Sequence, residues 1–191
     1  FEAPETKFKL DDNGKPIGVY VKERKEAHLL IEDFMLLANK SVAAFIAKEK
    51  NKNGKVPFVY RVHDLPNEEK LIDFQLFAQK FGYKIQFDNP IQIARELNKL
   101  MKDIDGKPEQ AVLQQLAIRC MAKAVYTTNN IGHYGLGFEH YTHFTSPIRR
   151  YPDVMVHRLL HKIMNDKKLP TQDELEYQCK HSSERERAAA D

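Results

Sequence analysis

The sequence predicts an α+β protein, mostly helical with a few antiparallel strands. Three observations lead there. Apolar residues recur every three or four positions through most of the chain, the spacing that lines one face of a helix. Strand patterning is confined to short runs in 7–21 and 58–62. Cap and turn residues punctuate the boundaries between these stretches. With 191 residues, 42% of them hydrophobic, the chain has enough apolar material for about one domain and too much for a disordered polymer. No stretch approaches the roughly 20 apolar residues a membrane span needs. Thirty Lys and Arg against 27 Asp and Glu leave a net charge of +3, which by itself names no partner. Cys120 and Cys179 make no disulfide framework and point to a reducing compartment, the cytoplasm.

The elements follow in order. Asp11-Asp12-Asn13-Gly14-Lys15 separates Lys7–Leu10 from Ile17–Val21, and Gly after Asn between alternating apolar residues predicts a β-hairpin. From Glu26 to about Lys50 the period turns helical, with Ala27, Ile31, Phe34, Ala38, Val42 and Phe45 as one stripe and Gly54 and Pro57 as terminators. Phe58–Val62 reads as a strand stopped by Asp64-Leu65-Pro66. Asn67 is placed to cap a helix running to Phe81, with Gly82 just beyond its end.

Two more helices are expected, near Pro90–Lys102 and from Pro108 to about Tyr126. The glycines of Gly132–Phe138 call for close backbone approach, to another strand or to a ligand. Ser146-Pro147 has the form of an N-cap followed by Pro at the first helical position. Ile148, Val154, Met155, Leu159 and Ile163 carry that helix to about Met164, and Pro152 is expected to kink it. Pro170 and Thr171 open the final helix. The chain thus divides into a hairpin (1–25), helices with one short strand (26–130), a motif segment (131–165) and a last helix (166–191).

Both ends read as cuts through a longer protein. The chain opens on Phe1 without a targeting signature, and Glu184–Asp191 is a helix-forming run with no cap after it. Strand edges and apolar faces uncovered by such cuts would favour self-association.

Chemistry concentrates in His133–His161, which holds five His, three Arg and three Tyr. Aromatic rings interleaved with Arg and His suit single-stranded nucleic acid, since bases stack on rings and guanidinium groups hold phosphates. Tyr134, Phe138 and Phe144 are equally readable as core side chains. Arg149 and Arg150 fall where a helix dipole disfavours cations, which makes sense if an anion such as phosphate sits at that end. Glu32, beside the apolar stripe of the first long helix, shares its flank with Asn39; periodicity does not choose between Glu32 and Asp33. A rival chemistry is a metal held by Asp153, His157 and His161, spaced four apart on one helix face. Cys120 as a nucleophile lacks any identifiable activating partner.

These residues carry a resemblance. HYGLGFEHYTHFTSPIRRYPDVMVHRLL from His133 resembles the signature of the ribonuclease II/ribonuclease R family, within its catalytic RNB domain. Ala27–Asn39 and Arg61–Pro66 resemble two further motifs of that family in the expected order, and Phe1–Glu5 resembles the segment before them. The likeness spans essentially the whole chain, read as the C-terminal part of an RNB domain. It implies a processive, magnesium-dependent 3′-to-5′ hydrolytic exoribonuclease that releases nucleoside 5′-monophosphates from single-stranded RNA.

By resemblance Arg149 is the catalytic arginine of the TSPIR motif, and Glu32, in preference to Asp33, is the glutamate near the terminal nucleotide. Ser146, Arg150, Tyr141, His143, His133, Asn39 and Arg158 are the matching candidates for RNA contact. His157 and Asp153 match as structural partners, and His161 matches nothing. The family's metal-binding aspartates would lie before Phe1, so the fragment is expected to hold no magnesium and to be inactive alone. The alternative is a non-catalytic module that grips single-stranded RNA.

Overall fold

The computed structural model describes residues 6–21, 25–51, 54–87 and 89–190. Phe1–Glu5, one of the segments that carry the resemblance, lie outside the described residues. Two compact units are present, Phe1–Phe34 and Met35–Asp191.

The first unit holds the predicted hairpin. Strands β1 (Thr6–Leu10) and β2 (Pro16–Val21) pair antiparallel, with a register irregularity between Lys9 and Leu10. Asp11 closes the turn: its Oδ1 accepts from the Asn13 and Lys15 amides at 2.9 and 2.8 Å. Gly14 takes the left-handed conformation the turn requires, at φ +79°. Helix α1 (Glu26–Lys48) follows and continues into the second unit.

The buried face of α1 differs from the expected stripe. Asn39, Ala43 and Ile46 are its buried residues, whereas Ile31, Phe34 and Phe45 are 59%, 59% and 47% exposed. The apolar positions of α1 are spread over more than one side, so periodicity allows several faces and tertiary packing selects one. The helix also stops at Lys48, before Gly54, because Lys50–Asn51 (β3) pairs with Gly54–Lys55 (β4).

Strand β5 (Tyr60–Val62) organises the second unit. On one edge it pairs antiparallel with β6 (Val125–Thr127), Arg61 facing Tyr126. The expected helix to Tyr126 therefore ends early, and α4 (Gln110–Cys120) gives way to a strand. Val125, Tyr126 and Thr127 are strand formers by type, but the partner that makes them a strand lies 65 residues upstream of Tyr126. Along the other edge of β5 runs the glycine-rich segment. Arg61 N donates to Tyr141 O at 2.9 Å, His63 N to Gly132 O at 3.1 Å and Tyr134 N to His63 O at 2.9 Å. Gly132 sits at φ +82°, and a Cβ there would meet the Phe138 carbonyl at 3.2 Å. The expected close approach is thus to neighbouring backbone.

Between β5 and β6 the chain builds a three-helix insert, α2 (Glu68–Gln79), α3 (Pro90–Asp103) and α4. Asn67 Oδ1 caps α2 by accepting from Lys70 N at 3.0 Å. Gly82, at φ +88°, ends it, with Gly82 N donating to Gln79 O at 2.9 Å and Tyr83 N to Ala78 O at 3.2 Å. Asn89 caps α3 in the same way, with Pro90 in the first turn. The insert has its own core, including Leu71, Phe74, Ile85, Leu97, Leu100, Ile104 and Leu113. Each fully buried Leu there contributes about 1.5–3 kcal/mol. The insert returns to its starting point, because Asn67 N donates to Cys120 O at 2.9 Å.

The other core joins Ala43 and Ile46 of α1 to β5, β6, α5 (Tyr151–Met164) and α6 (Gln172–Ala190). Helix α6 starts at the predicted place: Thr171 Oγ1 accepts from Glu174 N at 3.3 Å and Glu174 Oε2 from Thr171 N at 2.9 Å. Two contacts pin α6 to β6. Ser183 Oγ accepts from Tyr126 N at 2.9 Å, and Glu176 accepts from Thr127 and Thr128, including the Thr128 amide at 2.7 Å. Burial works against the Glu176 charge, but the Thr hydrogen bonds prevail and hold its carboxyl below the usual range.

Candidate functional site

The segment before α5 carries the densest polar geometry. Ser146 does not cap a helix, and the expected kink at Pro152 is absent. Residues 147–149 form a turn in which Arg149 N and Arg150 N donate to Ser146 O at 3.3 and 3.1 Å. Helix α5 begins at Tyr151, with Pro152 in its first turn. The reason is steric. Pro152 cannot donate and its ring excludes a helical carbonyl four residues back, so it is tolerated only where the helix starts.

Asp153 then supplies the anion that the helix start favours. Its side chain is fully buried and accepts from Ser146 N at 2.7 Å and from Arg150 Nε and Nη2 at 2.9 and 3.0 Å. The expectation of two first-turn arginines awaiting an external anion is therefore corrected. Arg150 is neutralised from within, and both arginines precede the helix. Arg149 is different: its side chain is exposed and, among the described residues, its guanidinium makes no hydrogen bond or ion pair. It lines a cleft of about 620 Å³ between this turn, Tyr126 and the far half of α6.

Beneath the turn, Asn39 joins α1 to the motif segment. Its Nδ2 donates to the Tyr141 hydroxyl at 3.1 Å and its Oδ1 accepts from Phe144 N at 2.9 Å. Both Asn39 and Tyr141 are buried, at 3% and 4% exposure. Phe144 stacks on His157, ring centres 4.1 Å apart, and His157 Nε2 lies 2.8 Å from the Phe144 carbonyl. His143 Nδ1 and the Tyr126 hydroxyl share a hydrogen bond at 2.7 Å. Burial and the charges of Arg150 and Arg61 push His143 down to about 3, so its ring is neutral. Burial lifts the Tyr126 phenol to about 12. Arg61 lies over the Tyr126 ring at 4.5 Å and grips Glu186 of α6 at 2.6 and 3.1 Å.

A second cavity, about 930 Å³, opens beside the glycine-rich segment. Its wall includes His133 and His63, stacked 5.1 Å apart, with Tyr134 stacked in turn on His63 at 6.3 Å. Gly135 N donates to His63 Nδ1 at 3.2 Å. His133 Nδ1 is buried with no hydrogen-bond partner among the described residues. Burial and the neighbouring His63 push His133 down to about 4, so this orphan nitrogen belongs to a neutral ring.

The predicted residues thus separate into groups. Arg149 and Arg158 are exposed on the turn and on α5, and Ser146 and Arg150 are partly buried around Asp153. Asn39 and Tyr141 are buried, which corrects the expectation that they contact RNA directly, while His143 and His133 are partly buried, His133 in the wall of the 930 Å³ cavity. Glu32 belongs to the first unit, partly buried on α1.

Asp153, His157 and His161 do not form a metal site. Asp153 is spent on Arg150, His157 faces Phe144, and His161 contacts Asn165 and Lys167. Among the described residues no group of three or more His, Cys, Asp or Glu is arranged to hold a metal ion. Cys120 donates to the Lys70 and Leu116 carbonyls at 3.3 Å, and burial raises its pKa, as suits an inert thiol. Arg61, His63 and Tyr126 emerge as site residues that the sequence reading did not name individually. The first two fall within the Arg61–Pro66 motif, which is their signal in the chain.

Comparison with known proteins follows the same geometry. Residues 1–166 match the RNB domain. Ribonuclease R of Aquifex aeolicus is 38% identical over 192 residues, covering 99% of this chain and 26% of the relative. The structure of Mycoplasma genitalium RNase R in complex with ribose-methylated single-stranded RNA superposes with a TM-score of 0.77 at 31% identity, covering 96% of this chain and 28% of that one. Yeast Ssd1, described as a pseudonuclease, gives a TM-score of 0.68 at 26% identity over 84% of this chain and 20% of its own. The chain spans about a quarter of the length of the ribonuclease R relatives.

Proposed function

The chain belongs to the RNB domain family, and on that premise we propose that it is part of a processive 3′-to-5′ exoribonuclease that hydrolyses single-stranded RNA to nucleoside 5′-monophosphates. The observation that carries the reading is the contrast between two adjacent arginines. Buried Asp153 consumes Arg150 and, through Ser146 N, fixes the turn, which leaves Arg149 presented at a cleft with no partner among the described residues. A guanidinium held this way stabilises negative charge developing on a phosphate without having to reorganise.

In this reading Arg149 contacts the scissile phosphate and Glu32 lies near the terminal nucleotide. Arg158, Ser146, His143 and His133 contact the strand, while buried Asn39 and Tyr141 hold the surface in shape. Hydrolysis of this class would draw its activated water from bound magnesium. The described residues do not fit that ion. Asp11, in the only Asp-Asp pair of the sequence, spends its Oδ1 on turn amides, and no group of three or more acidic or other metal-binding side chains converges among the described residues. The 191-residue chain by itself is therefore expected to bind RNA without cleaving it. Exposed apolar side chains of α1, among them Leu30, Ile31 and Leu37, make self-association a further expectation. Two buried free thiols suit a cytoplasmic setting.

In the complete enzyme Arg149→Ala should lower the cleavage rate by about 10²–10³ while RNA affinity is largely kept. An unchanged rate would remove Arg149 from the catalytic role. The likeness to a pseudonuclease favours one second reading, a non-catalytic RNA-binding module. It requires that the complete protein bind single-stranded RNA with strong salt dependence yet release no mononucleotide in magnesium.

A further inference from the structure

The cleft beside Arg149 has a second wall. His181, Arg185 and Ala189 follow one another at four-residue steps on α6, so they share a helix face, and all three line the cleft opposite the Ser146–Arg150 turn. Charge accounting across the cleft leaves an imbalance. Its lining includes three arginines, Arg149, Arg150 and Arg185, against one carboxylate, Glu186. Glu186 is already held bidentate by Arg61, and Arg150 by Asp153. Arg149 and Arg185 are both exposed, and neither guanidinium has a hydrogen bond or ion pair among the described residues. Two unneutralised guanidinium groups therefore line one cleft whose own lining carboxylate, Glu186, is committed to Arg61.

We propose that this cleft seats a backbone phosphate of single-stranded RNA and that Arg185 is the positioning residue that holds it from α6. The inference rests on the exoribonuclease reading and deepens it. Arg149 acts at the reacting phosphate, while Arg185 fixes the register of the strand. Arg185 touches the ligand through charge and hydrogen bonding in ground state and transition state alike, so its loss shows in binding. Both fork geometry and charge suit a phosphodiester.

The test is binding of a short fluorescein-labelled single-stranded RNA to the full 191-residue chain, followed by anisotropy across a salt series. Arg185→Gln should weaken binding several-fold and reduce the slope of log K against log salt by about 0.7, the loss of one phosphate contact. Arg185→Lys, which keeps the charge, should retain the slope. Arg187→Gln, exposed on the same helix but outside the cleft, should leave both unchanged. Thermal melting of Arg185→Gln should match the unmodified chain, since no internal partner is lost.

In the complete enzyme the same variant should raise KM with kcat kept, opposite to Arg149→Ala. A slope for Arg185→Gln equal to that of Arg187→Gln, or no salt-sensitive binding by the unmodified chain, overturns the inference. Either result leaves the exoribonuclease reading to be judged by the Arg149 rate.

Discussion

The two cores of the second unit are built from different materials. The insert core, formed by α2, α3 and α4, buries only apolar side chains and Cys120. The core around β5, β6, α5 and α6 lies among the buried polar side chains of the described residues, Asn39, Thr142, Asp153 and Ser183. Each of these is satisfied: Thr142 Oγ1, for example, donates to Val59 O at 2.7 Å. All eight histidines of the sequence lie outside residues 67–120. A dry core tolerates repacking at the expense of stability alone. A core threaded with directional bonds fixes the position of specific atoms, here the turn that presents Arg149. The difference assigns scaffold to one region and chemistry to the other.

Three experiments strain that contrast, the largest expected effect first. Asp153→Ala removes a buried carboxylate and strands Arg150 and the Ser146 amide, which should cost about 3–5 kcal/mol in denaturant melts. It should also lower the cleavage rate of the complete enzyme. A destabilised variant with full activity would show that the turn does not depend on its anchor. Leu113→Ala, fully buried in the dry core, should cost about 2–5 kcal/mol but leave kcat unchanged below the melting temperature. A loss of kcat there would end the separation of scaffold from site.

The smallest effect is with pH. His143 and His133 stay neutral in the fold down to about 3 and about 4, against an ordinary value of 6.5. Below pH 6.5 the unfolded chain takes up protons that the folded core refuses, so stability falls as pH drops from 6.5 towards 4. Tm should therefore decline between pH 7 and pH 5. Amide exchange should show β6 and α5 losing protection before α2–α4, which hold no histidine. Uniform loss across both regions would blunt the contrast.

What the chain discloses of itself follows the range of the forces involved. Asn13-Gly14, Asn67, Gly82, Asn89-Pro90 and Thr171 each act through bonds within five residues, and the elements they bound are readable from the sequence. Tyr126 is not readable, because its strand partner and its hydrogen bond to His143 come from distant segments. The buried face of α1 is decided by Tyr141 and Phe144, more than 100 residues away. At the site, two prolines competed for one helix start. Ser146-Pro147 has the local form, but Pro152 admits no helix before it, and that steric rule is the signal by which the start can be found. Arg149 and Arg150 are neighbours in sequence with opposite fates, and only the burial of Asp153 tells them apart.

The closure of the insert has a kinetic consequence. Helical contacts within residues 67–120 are local and form early, whereas β5 must find β6 across the whole insert. Once the hydrogen bond from Asn67 to Cys120 ties the insert at its base, the connection between the strands shrinks from roughly sixty residues to roughly ten, saving about 1.5 kcal/mol of closure entropy. The dry region would then act as a timing device, condensing first and carrying the two halves of the polar core into reach of each other.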